Sequence, residues 1–300
     1  MNSVWTKSIP SVPISVVPFS ALACPLDGDV LVKAGGSWQC VQGHSFDVAR
    51  QGYINLLPVQ KKRSRDPGDS KDMVVARQRF LSAGYYAPVA NAINVALLKG
   101  VAADKEISVL DAGCGEGYYL RQLAGALGAS PPLQVLGLDI SKWAIQSAAR
   151  QHEAIRWVVG SNANLPVVSG SLDRVLCMFG FPVYSEFARV LREDGLLVQL
   201  DPGPAHLREL REIIYPSLKP VRDNKDAVPA GFESVSTETI HYQAEIQSAA
   251  MVQDLLTMTP HLYRANAEGR ARAAQLTSLS VTIEVTLKTL RKTTRTDIES

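Results

Sequence analysis

The stretch ISVLDAGCGEGYY, residues 107–119, decides the fold prediction for this chain. Its first part, 107–113, is a short run of aliphatic and β-branched residues that ends in glycine, which predicts a strand. From residue 118 to 128, apolar residues recur at helical spacing and stop at a glycine, which predicts a helix. The glycines at 113, 115 and 117 allow the connecting backbone to turn sharply and to approach a ligand closely. The start of the helix behind them favours negative or hydrogen-bond-accepting groups.

Strand-like and helix-like stretches continue to alternate after this loop. The predicted strands are 133–139, 155–160, 172–179 and 195–201, and the predicted helices are 141–151, 184–192 and 205–215. Such alternation predicts βαβ units and a parallel sheet covered on both faces. Two long stretches rich in Thr and Val, 232–247 and 276–290, predict an antiparallel pair with a helix at 248–257 between them.

Two acidic residues distinguish this loop from a dinucleotide-binding loop. Asp111 precedes it in the spacing D-x-G-x-G-x-G, whereas dinucleotide enzymes use G-x-G-x-x-G. The next predicted strand ends in Asp139, at a position where an acid accepts both hydroxyls of a ribose. Together these features resemble the S-adenosylmethionine loop of class I methyltransferases. NAD(P) binding and a purely structural turn are the alternatives.

The resemblance implies an α/β fold with a Rossmann-like seven-stranded sheet, which a parallel sheet closed by an antiparallel pair matches. It also implies S-adenosylmethionine as the cofactor. Asn162, in the run SNANLP after the strand at 155–160, is expected beside the adenine, with a helix-capping turn as the alternative. The cofactor residues predicted from this region are Asp111, Gly113, Gly115, Glu116, Gly117, Asp139, Ile140 and Asn162.

Composition restricts the remaining choices. The chain has 300 residues, a formal net charge of +2 and four cysteines, which is too few for a disulfide framework. No apolar run approaches the roughly 20 residues that span a bilayer, so no membrane partner is expected. Prolines interrupt the apolar stretch near the N-terminus, and we interpret 1–20 as a flexible extension of a cytoplasmic protein.

Several runs in chain order resemble one family. These are GYINLLPVQKKRSRDPGDSKDMVVARQRFLSAGYY (52–86), LDAGCGEGYY (110–119), GLDISKWAIQSAAR (137–150) and PGPAHLREL (202–210). They closely resemble the RlmA-type 23S rRNA guanine-N1 methyltransferases from Cys24 to about residue 215, and more loosely to about 290. The resemblance implies methyl transfer to N1 of a guanine in a 23S rRNA hairpin, with a homodimer as a possible assembly.

The same resemblance implies the domain boundaries and further cofactor contacts. It divides the chain into the extension at 1–20, a zinc-ribbon-like module at 21–60, a linker and helical segment at 61–104, and the methyltransferase domain at 105–292. Tyr86 and His206 are expected near the cofactor, and Tyr119 and Leu120 are expected to line it.

Family members carry Cys-x2-Cys, a gap and then Cys-x3-His in the first module. Here Cys24, Asp27, Cys40 and His44 keep that spacing with one cysteine replaced. A carboxylate oxygen can serve as a fourth zinc ligand, although it should bind more weakly than thiolate. Three alternatives remain: zinc on these four residues, zinc on the other three with water or Asp29, and an empty module. The empty module would be held by packing of Leu26, Val30, Trp38 and Phe46.

The reaction itself suggests a few more residues. The proton on guanine N1 needs an acceptor, and Asp201 is a weak candidate that could instead cap the helix at 205–215. A paired base must be exposed to react, and the candidates for stacking on it are Tyr53, Tyr85, Phe179 and Phe181. The KKRSR run (61–65) would bind phosphates. A methyltransferase of small molecules or of other RNA, and a non-catalytic cofactor-binding RNA factor, are the alternative functions.

Overall fold

The computed structural model describes residues 15–61, 64, 66–102, 105–126, 132–218 and 227–293. Twelve strands lie within this part of the chain. They are β1 (Val16–Pro18), β2 (Val32–Ala34), β3 (Ser37–Gln39), β4 (Ser45–Asp47), β5 (Ile54–Asn55), β6 (Ile107–Ala112), β7 (Leu133–Asp139), β8 (Arg156–Val159), β9 (Leu172–Met178), β10 (Leu191–Pro202), β11 (Phe232–Ile246) and β12 (Leu279–Lys292).

The helices of the described residues alternate with the strands of the main sheet. They are α1 (Lys71–Ser82), α2 (Ala87–Leu98), α3 (Tyr118–Ala124), α4 (Lys142–Gln151), α5 (Tyr184–Val190), α6 (Arg208–Ile214), α7 (Ala249–Met258), α8 (His261–Arg264) and α9 (Ala267–Ala274). Ser70 and Ser141 cap α1 and α4 through their side-chain oxygens, because a serine at this position satisfies an unpaired backbone N–H of the first turn. No helix among them has the length and apolarity that crossing a membrane would require.

The main sheet has the predicted class I methyltransferase topology. Its seven central strands lie in the order β11-β12-β10-β9-β6-β7-β8. Strands β6 to β10 pair in parallel, whereas β12 is antiparallel to both β10 and β11. In such a sheet the ligand-binding crevice lies outside the carboxyl ends of the parallel strands, where the strand order reverses. Here the order reverses between β6 and β9, so the crevice lies at the carboxyl end of β6, which β7 flanks on the other side.

The N-terminal segment differs from the flexible extension predicted for 1–20. Residues 1–14 lie outside the described residues, but β1 pairs in parallel with the first half of β7, from Leu133 to Val135. Phe19, directly after β1, is 1% exposed. A three-residue strand next to prolines gives no periodic signal, and its partner lies more than 100 residues away. The pairing is therefore set by the sheet and not by local sequence.

Both faces of the sheet are covered, as predicted. Helices α1 to α4, α6 and α7 pack on one face around residues such as Phe80, Leu120 and Val252. On the other face, α5 packs beside residues of the small module, among them Leu31 and Trp38. The module itself is a three-stranded antiparallel sheet, β2-β3-β4. Its Trp38 ring lies 5.0 Å from the Arg156 guanidinium carbon of β8, which joins the module to the main sheet.

Gly137 of β7 provides a test of this packing. A Cβ at this position would overlap the buried indole of Trp157 on β8. We expect Gly137→Ala to lower the free energy of unfolding by about 1–3 kcal/mol, the usual cost of overpacking a core. Gly36→Ala is the control, because its Cβ would meet no atom within 4 Å. Urea denaturation of both variants measures the effect, and equal stability would contradict the predicted close contact.

Candidate cofactor site and zinc module

The glycine loop is fixed to the neighbouring strand by its own backbone. The N–H groups of Gly113 and Cys114 both donate to the carbonyl of Leu138, over 2.8 and 2.9 Å. Gly117 has φ +82°, and a Cβ there would overlap Trp157. Only glycine combines that backbone conformation with so close an approach to the indole. The loop therefore holds its shape without help from a ligand.

Asp139 presents an oriented carboxylate beside this loop. Its two oxygens accept hydrogen bonds from the backbone N–H groups of Gly115, at 2.9 Å, and Ser141, at 2.7 Å. Burial raises the pKa of Asp139, although the two N–H donors act in the opposite direction. Since each carboxylate oxygen has a second lone pair, the group can still accept hydrogen bonds from a ribose. Its position at the end of β7 agrees with the predicted role.

Asp111 is the most unusual group at the site. It is 1% exposed, and neither carboxylate oxygen has a hydrogen-bond partner among the described residues. Burial, followed by repulsion from Asp139, raises the pKa of Asp111 to about 8. A buried carboxylate without partners is unfavourable unless a donor or a cation completes it. The ammonium group of S-adenosylmethionine is such a partner, so the residues present fit the cofactor that the fold implies.

Asn162 reaches the same edge from the loop after β8. Its side-chain nitrogen donates to the carbonyl of Ala112 over 3.3 Å. Its Oδ1 atom is buried and has no partner in the described part of the chain. This oxygen can accept a hydrogen bond from an amino group, as the predicted adenine contact requires. The cofactor contact of Ile140 stays a prediction; its side chain lies against Gly68.

Tyr86, Tyr119 and His206 make up what we call the aromatic wall. The Tyr86 hydroxyl lies 3.3 Å from His206 Nε2. His206 Nδ1 accepts the backbone N–H of Glu284, also over 3.3 Å. Burial, then the charges of His261 and Arg211, lower the pKa of His206 to about 4, so the imidazole is neutral near pH 7. Burial, and after it the negative forms of Tyr86 and other neighbours, raise the pKa of Tyr119.

Two predicted cofactor residues have other surroundings. Glu116 is 1% exposed, and its carboxylate pairs with Arg121 over 2.7 Å. The same carboxylate accepts a longer hydrogen bond from Gln151, at the opposite end of α4 from Asp139. Leu120 is fully buried in the core. The side chains of Glu116 and Leu120 therefore support the loop from behind, and direct contact with the cofactor stays a prediction for them.

The turn at RDPGDS contributes residues that the motif alone did not identify. A Cβ at Gly68 would lie 2.9 Å from side-chain atoms of Ile140 and Ser141. The Ser141 hydroxyl donates to the carbonyl of Asp69 over 2.7 Å. Arg77 of α1 pairs with the Asp69 carboxylate, and its Nη1 atom lies 3.6 Å from the Cβ position of Gly115. Arg77 therefore borders the glycine loop, which only the resemblance of this run could have suggested.

Asp201 has a less favourable position for a catalytic base. Its carboxylate accepts a hydrogen bond from Gln199 over 2.8 Å, and Gln199 in turn accepts one from Tyr184 of α5. Side chains alternate along a strand, and the next residue inward, Leu200, packs in the cluster that contains Tyr86. Asp201 thus lies on the α5 face, opposite the aromatic wall. It does not cap α6, which has no side-chain cap.

The four stacking candidates divide into two pairs. Tyr53 is buried at 5% exposure, and Tyr85 is half-buried and stacks on Phe80 with ring centres 4.9 Å apart. Phe179 and Phe181, directly after β9, are 42% and 89% exposed. Only the second pair therefore offers much ring surface to a nucleic acid base.

The basic KKRSR run is only partly visible. Lys62, Arg63 and Arg65 lie outside the described residues. Two basic residues near the end of β12 make contacts within the protein: Arg291 pairs with Glu233 over 3.0 Å, and Lys292 donates to the carbonyl of Leu191. The phosphate-binding role of the first run stays a prediction.

The predicted zinc ligands converge in the small module. The ligand atoms of Cys24, Asp27, Cys40 and His44 all lie within 4.8 Å of one another. Asp27 Oδ2 lies 2.7 Å from His44 Nδ1 and 3.2 Å from Cys40 Sγ. The other carboxylate oxygen accepts the N–H of Asp29 over 2.8 Å, which orients Asp27 toward the cluster. Two thiolates, one imidazole and one carboxylate form a donor set that suits tetrahedral zinc.

The same geometry bears on the alternatives for this module. Trp38 is buried, but Leu26 and Val30 are each more than half exposed, so packing of these residues would hold an empty module poorly. Asp29 uses its backbone to orient Asp27. The zinc site with Asp27 as the fourth ligand is therefore the alternative that the contacts support.

Replacement of Asp27 by cysteine tests this assignment. We expect Asp27→Cys to bind zinc about tenfold more tightly or better, because thiolate suits zinc and even outer-shell changes alter metal affinity by 10–100-fold. Asp47→Cys, on exposed β4 of the same module, is the control and should change little. Competition against a chromophoric chelator measures the affinity. Fewer than about 0.2 equivalents of zinc in wild-type protein prepared without chelator would exclude a zinc site.

Comparison with known proteins agrees with both parts of this geometry. Residues 22–65 match the zinc-ribbon family model described as "RlmA, N-terminal", and residues 109–195 match the model "Methyltransferase domain". A Micromonospora griseorubida protein, named provisionally as a 23S rRNA (guanine-N1)-methyltransferase, is 33% identical, over 90% of this chain and 97% of its own length. The 23S rRNA (guanine(748)-N1)-methyltransferase of Streptomyces fradiae is 31% identical, over 90% and 96%.

A third relative extends the comparison to another genus. The Bacillus subtilis protein YxjB, also named provisionally as a 23S rRNA (guanine-N1)-methyltransferase, is 29% identical, over 90% of this chain and 96% of its own length. The similarity to each of these three relatives thus covers 90% of this chain. This chain belongs to the RlmA-type family of 23S rRNA (guanine-N1)-methyltransferases.

Proposed function

We propose that this protein transfers a methyl group from S-adenosylmethionine to N1 of a guanine in a hairpin of 23S rRNA. The observation that carries the proposal is the extent of the family relationship, because it includes the zinc module as well as the methyltransferase domain. A methyltransferase domain alone would be compatible with many substrates. The similarity extends over nearly the whole length of the relatives and so includes the zinc module, which supports the same class of substrate.

The residues of the cofactor edge have separate tasks in this proposal. S-adenosylmethionine supplies an activated methyl group on a positively charged sulfur. Asp139 holds the ribose, Asn162 Oδ1 accepts from the adenine, and Asp111 pairs with the ammonium group. The unpaired buried oxygens of Asp111 and Asn162 support these assignments. Tyr86, Tyr119 and His206 close the other side and exclude water, so that alignment of the reactants provides most of the rate.

The guanine must lose the N1 proton when the methyl group is added. Asp201 faces away from the aromatic wall, so we assign the acceptor to water and expect Asp201→Asn to retain turnover. Since a paired guanine is unreachable, the target lies in a loop or is flipped out of its stem. The KKRSR run would contact phosphates, and RNA affinity should then fall as salt rises.

Two further features complete the proposal. The enzyme would act in the cytoplasm, where ribosomal RNA is assembled into subunits. A homodimer is the assembly suggested by the family resemblance, and light scattering of the purified protein, alone and with RNA, tests it.

Methyl transfer tests the proposed function directly. We expect tritium from methyl-labelled S-adenosylmethionine to enter large-subunit rRNA from cells that lack the enzyme. The product should stop primer extension at one guanine, because a methyl group on N1 blocks base pairing. One relative is named for guanine 748, so mapping includes that position and its neighbours. Label in small molecules only, or binding without turnover, would favour the alternative functions and contradict this one.

The buried carboxylate of Asp111 gives a second prediction. Its raised pKa, about 8 instead of the ordinary 3.8, means that the cofactor-free protein loses stability as the pH rises from about 4 to about 8. Asp111→Asn removes this titration, so the variant should melt no lower than wild type at pH 8. It should bind S-adenosylhomocysteine about tenfold more weakly or worse, because a charged hydrogen bond is lost.

Calorimetry and thermal melts at several pH values measure both effects. Asp194→Asn makes the same chemical change at an exposed position in the irregular first part of β10 and is the control. A variant of Asp111 that keeps normal affinity for S-adenosylhomocysteine would show that this carboxylate does not hold the cofactor.

A further inference from the structure

Phe179 has a backbone conformation that bulky residues avoid. Its φ is +48°, in the left-handed region, at the point where the chain leaves β9. The Phe179 N–H donates to the carbonyl of Leu200 over 2.9 Å, which fixes this conformation against β10. A left-handed conformation is unfavourable for an aromatic residue and tends to occur at functional sites.

The residue after it brings this bend close to the end of β6. A Cβ on Gly180 would lie 3.9 Å from the carbonyl oxygen of Ala112, which precedes the loop's first glycine. The same carbonyl accepts the side-chain N–H of Asn162, the predicted adenine contact. The bend therefore crosses the carboxyl edge of the sheet beside the residues that would hold the cofactor.

The ring of Phe179 rests on the aromatic wall. It stacks on the imidazole of His206, with ring centres 5.6 Å apart and planes at 29°. It also meets the Tyr86 ring edge-on at 6.5 Å. His206 is neutral and hydrogen-bonded on both nitrogens, so it supports the ring as a fixed flat surface. Although it makes both ring contacts, 42% of Phe179 stays exposed to solvent.

The other stacking candidates lack this combination. Tyr53 is buried, and Tyr85 already stacks on Phe80. Phe181 is 89% exposed, and none of the ring contacts found among the described residues involves it. An unsupported ring would first have to be ordered, which reduces the gain from stacking. Phe179 alone is exposed, fixed in place and in contact with residues of the cofactor site.

We propose that Phe179, supported by the aromatic wall, is the stacking surface for the target guanine and holds the base with its N1 edge at the cofactor site. This inference rests on the proposed function and identifies the residue that positions its substrate. An aromatic face suits a purine, and it needs no charge to bind one. Stacking on a fixed ring also favours the flipped base over the paired one, because it replaces part of the stacking lost from the helix.

Kinetics with substitutions of one side chain form the first test. Phe179→Leu keeps an apolar side chain but removes the flat face, so kcat/KM for rRNA should fall roughly 5- to 100-fold, the range of one lost base–aromatic stack. Phe179→Tyr should stay within about threefold of wild type, since its ring is retained. Binding of S-adenosylhomocysteine and the melting temperature should change little in either variant. Equal rRNA kinetics for wild type and Phe179→Leu would overturn the proposal.

A fluorescence measurement of contact between position 179 and the target base distinguishes stacking by Phe179 from a merely structural role. A synthetic hairpin would carry 2-aminopurine at the guanine that wild-type enzyme methylates. Phe179→Trp should quench its fluorescence on binding, because an indole stacked on the base transfers electrons to it. Phe181→Trp is the matched control, two residues away, and should quench it at most half as strongly. Absent or equal quenching in the two variants would overturn the assignment of Phe179.

The two tests also separate this inference from the function it rests on. If wild-type protein fails to methylate rRNA, the proposed function is wrong. If wild type methylates a guanine and Phe179→Leu does so equally well, the function stands and only the role of Phe179 is wrong.

Discussion

The packing around the indole of Trp157 constrains the glycine loop and the neighbouring strands that form the cofactor site. This ring is fully buried on β8, and two positions without side chains face it: Gly117, where the loop becomes α3, and Gly137, in the middle of β7. The indole N–H is satisfied by the carbonyl of His152, so the ring can be buried at little polar cost. Because both glycines approach the indole closely, the loop can lie on β7. The carbonyl of Leu138 then accepts hydrogen bonds from two loop N–H groups.

Segments that are distant in sequence from the glycine loop complete the cofactor site. The turn before α1 lies on the start of α4 through Gly68 and the bond between Ser141 and Asp69. Arg79 of α1 makes a two-pronged ion pair with buried Asp254 of α7. These contacts hold the segment between the zinc module and the methyltransferase domain against the cofactor edge. Movement of that segment would therefore also change the surroundings of Asp139.

Local sequence patterns predicted the regular part of this fold well. Apolar periodicity located β6 to β10 and the long antiparallel pair. Such signals are local, because they depend on which side chains one segment must bury. The three-residue strand β1 has no comparable signal, since its existence depends on an open stretch of the β7 edge far along the chain.

In the candidate site, too, some residues could be predicted from local sequence and others depend on distant contacts. Asp111, Asp139 and the glycines follow directly from strand ends, and the structure brings them together at the β6–β7 edge. Whether a charged side chain faces the cofactor or the core depends on its partners, which sequence does not display. Glu116 turns to Arg121, and Asp201 joins Gln199 on the opposite face of the sheet. Arg77 comes beside the loop only because α1 packs there.

Three unfavourable local features of the described residues lie at this one edge, although Trp38 Nε1, Asn94 Oδ1 and His152 Nδ1 are also buried without a partner elsewhere in that part of the chain. Asp111 is buried without a partner, Asn162 Oδ1 is unsatisfied, and Phe179 is held in a left-handed conformation. Each of these lowers the stability of the protein alone, and a residue better suited to its surroundings could replace it at no cost to the fold. Their coincidence within one crevice is difficult to attribute to folding. It is expected if the crevice is completed by a charged cofactor on one side and a flat base on the other, since each then supplies the contact that the protein lacks.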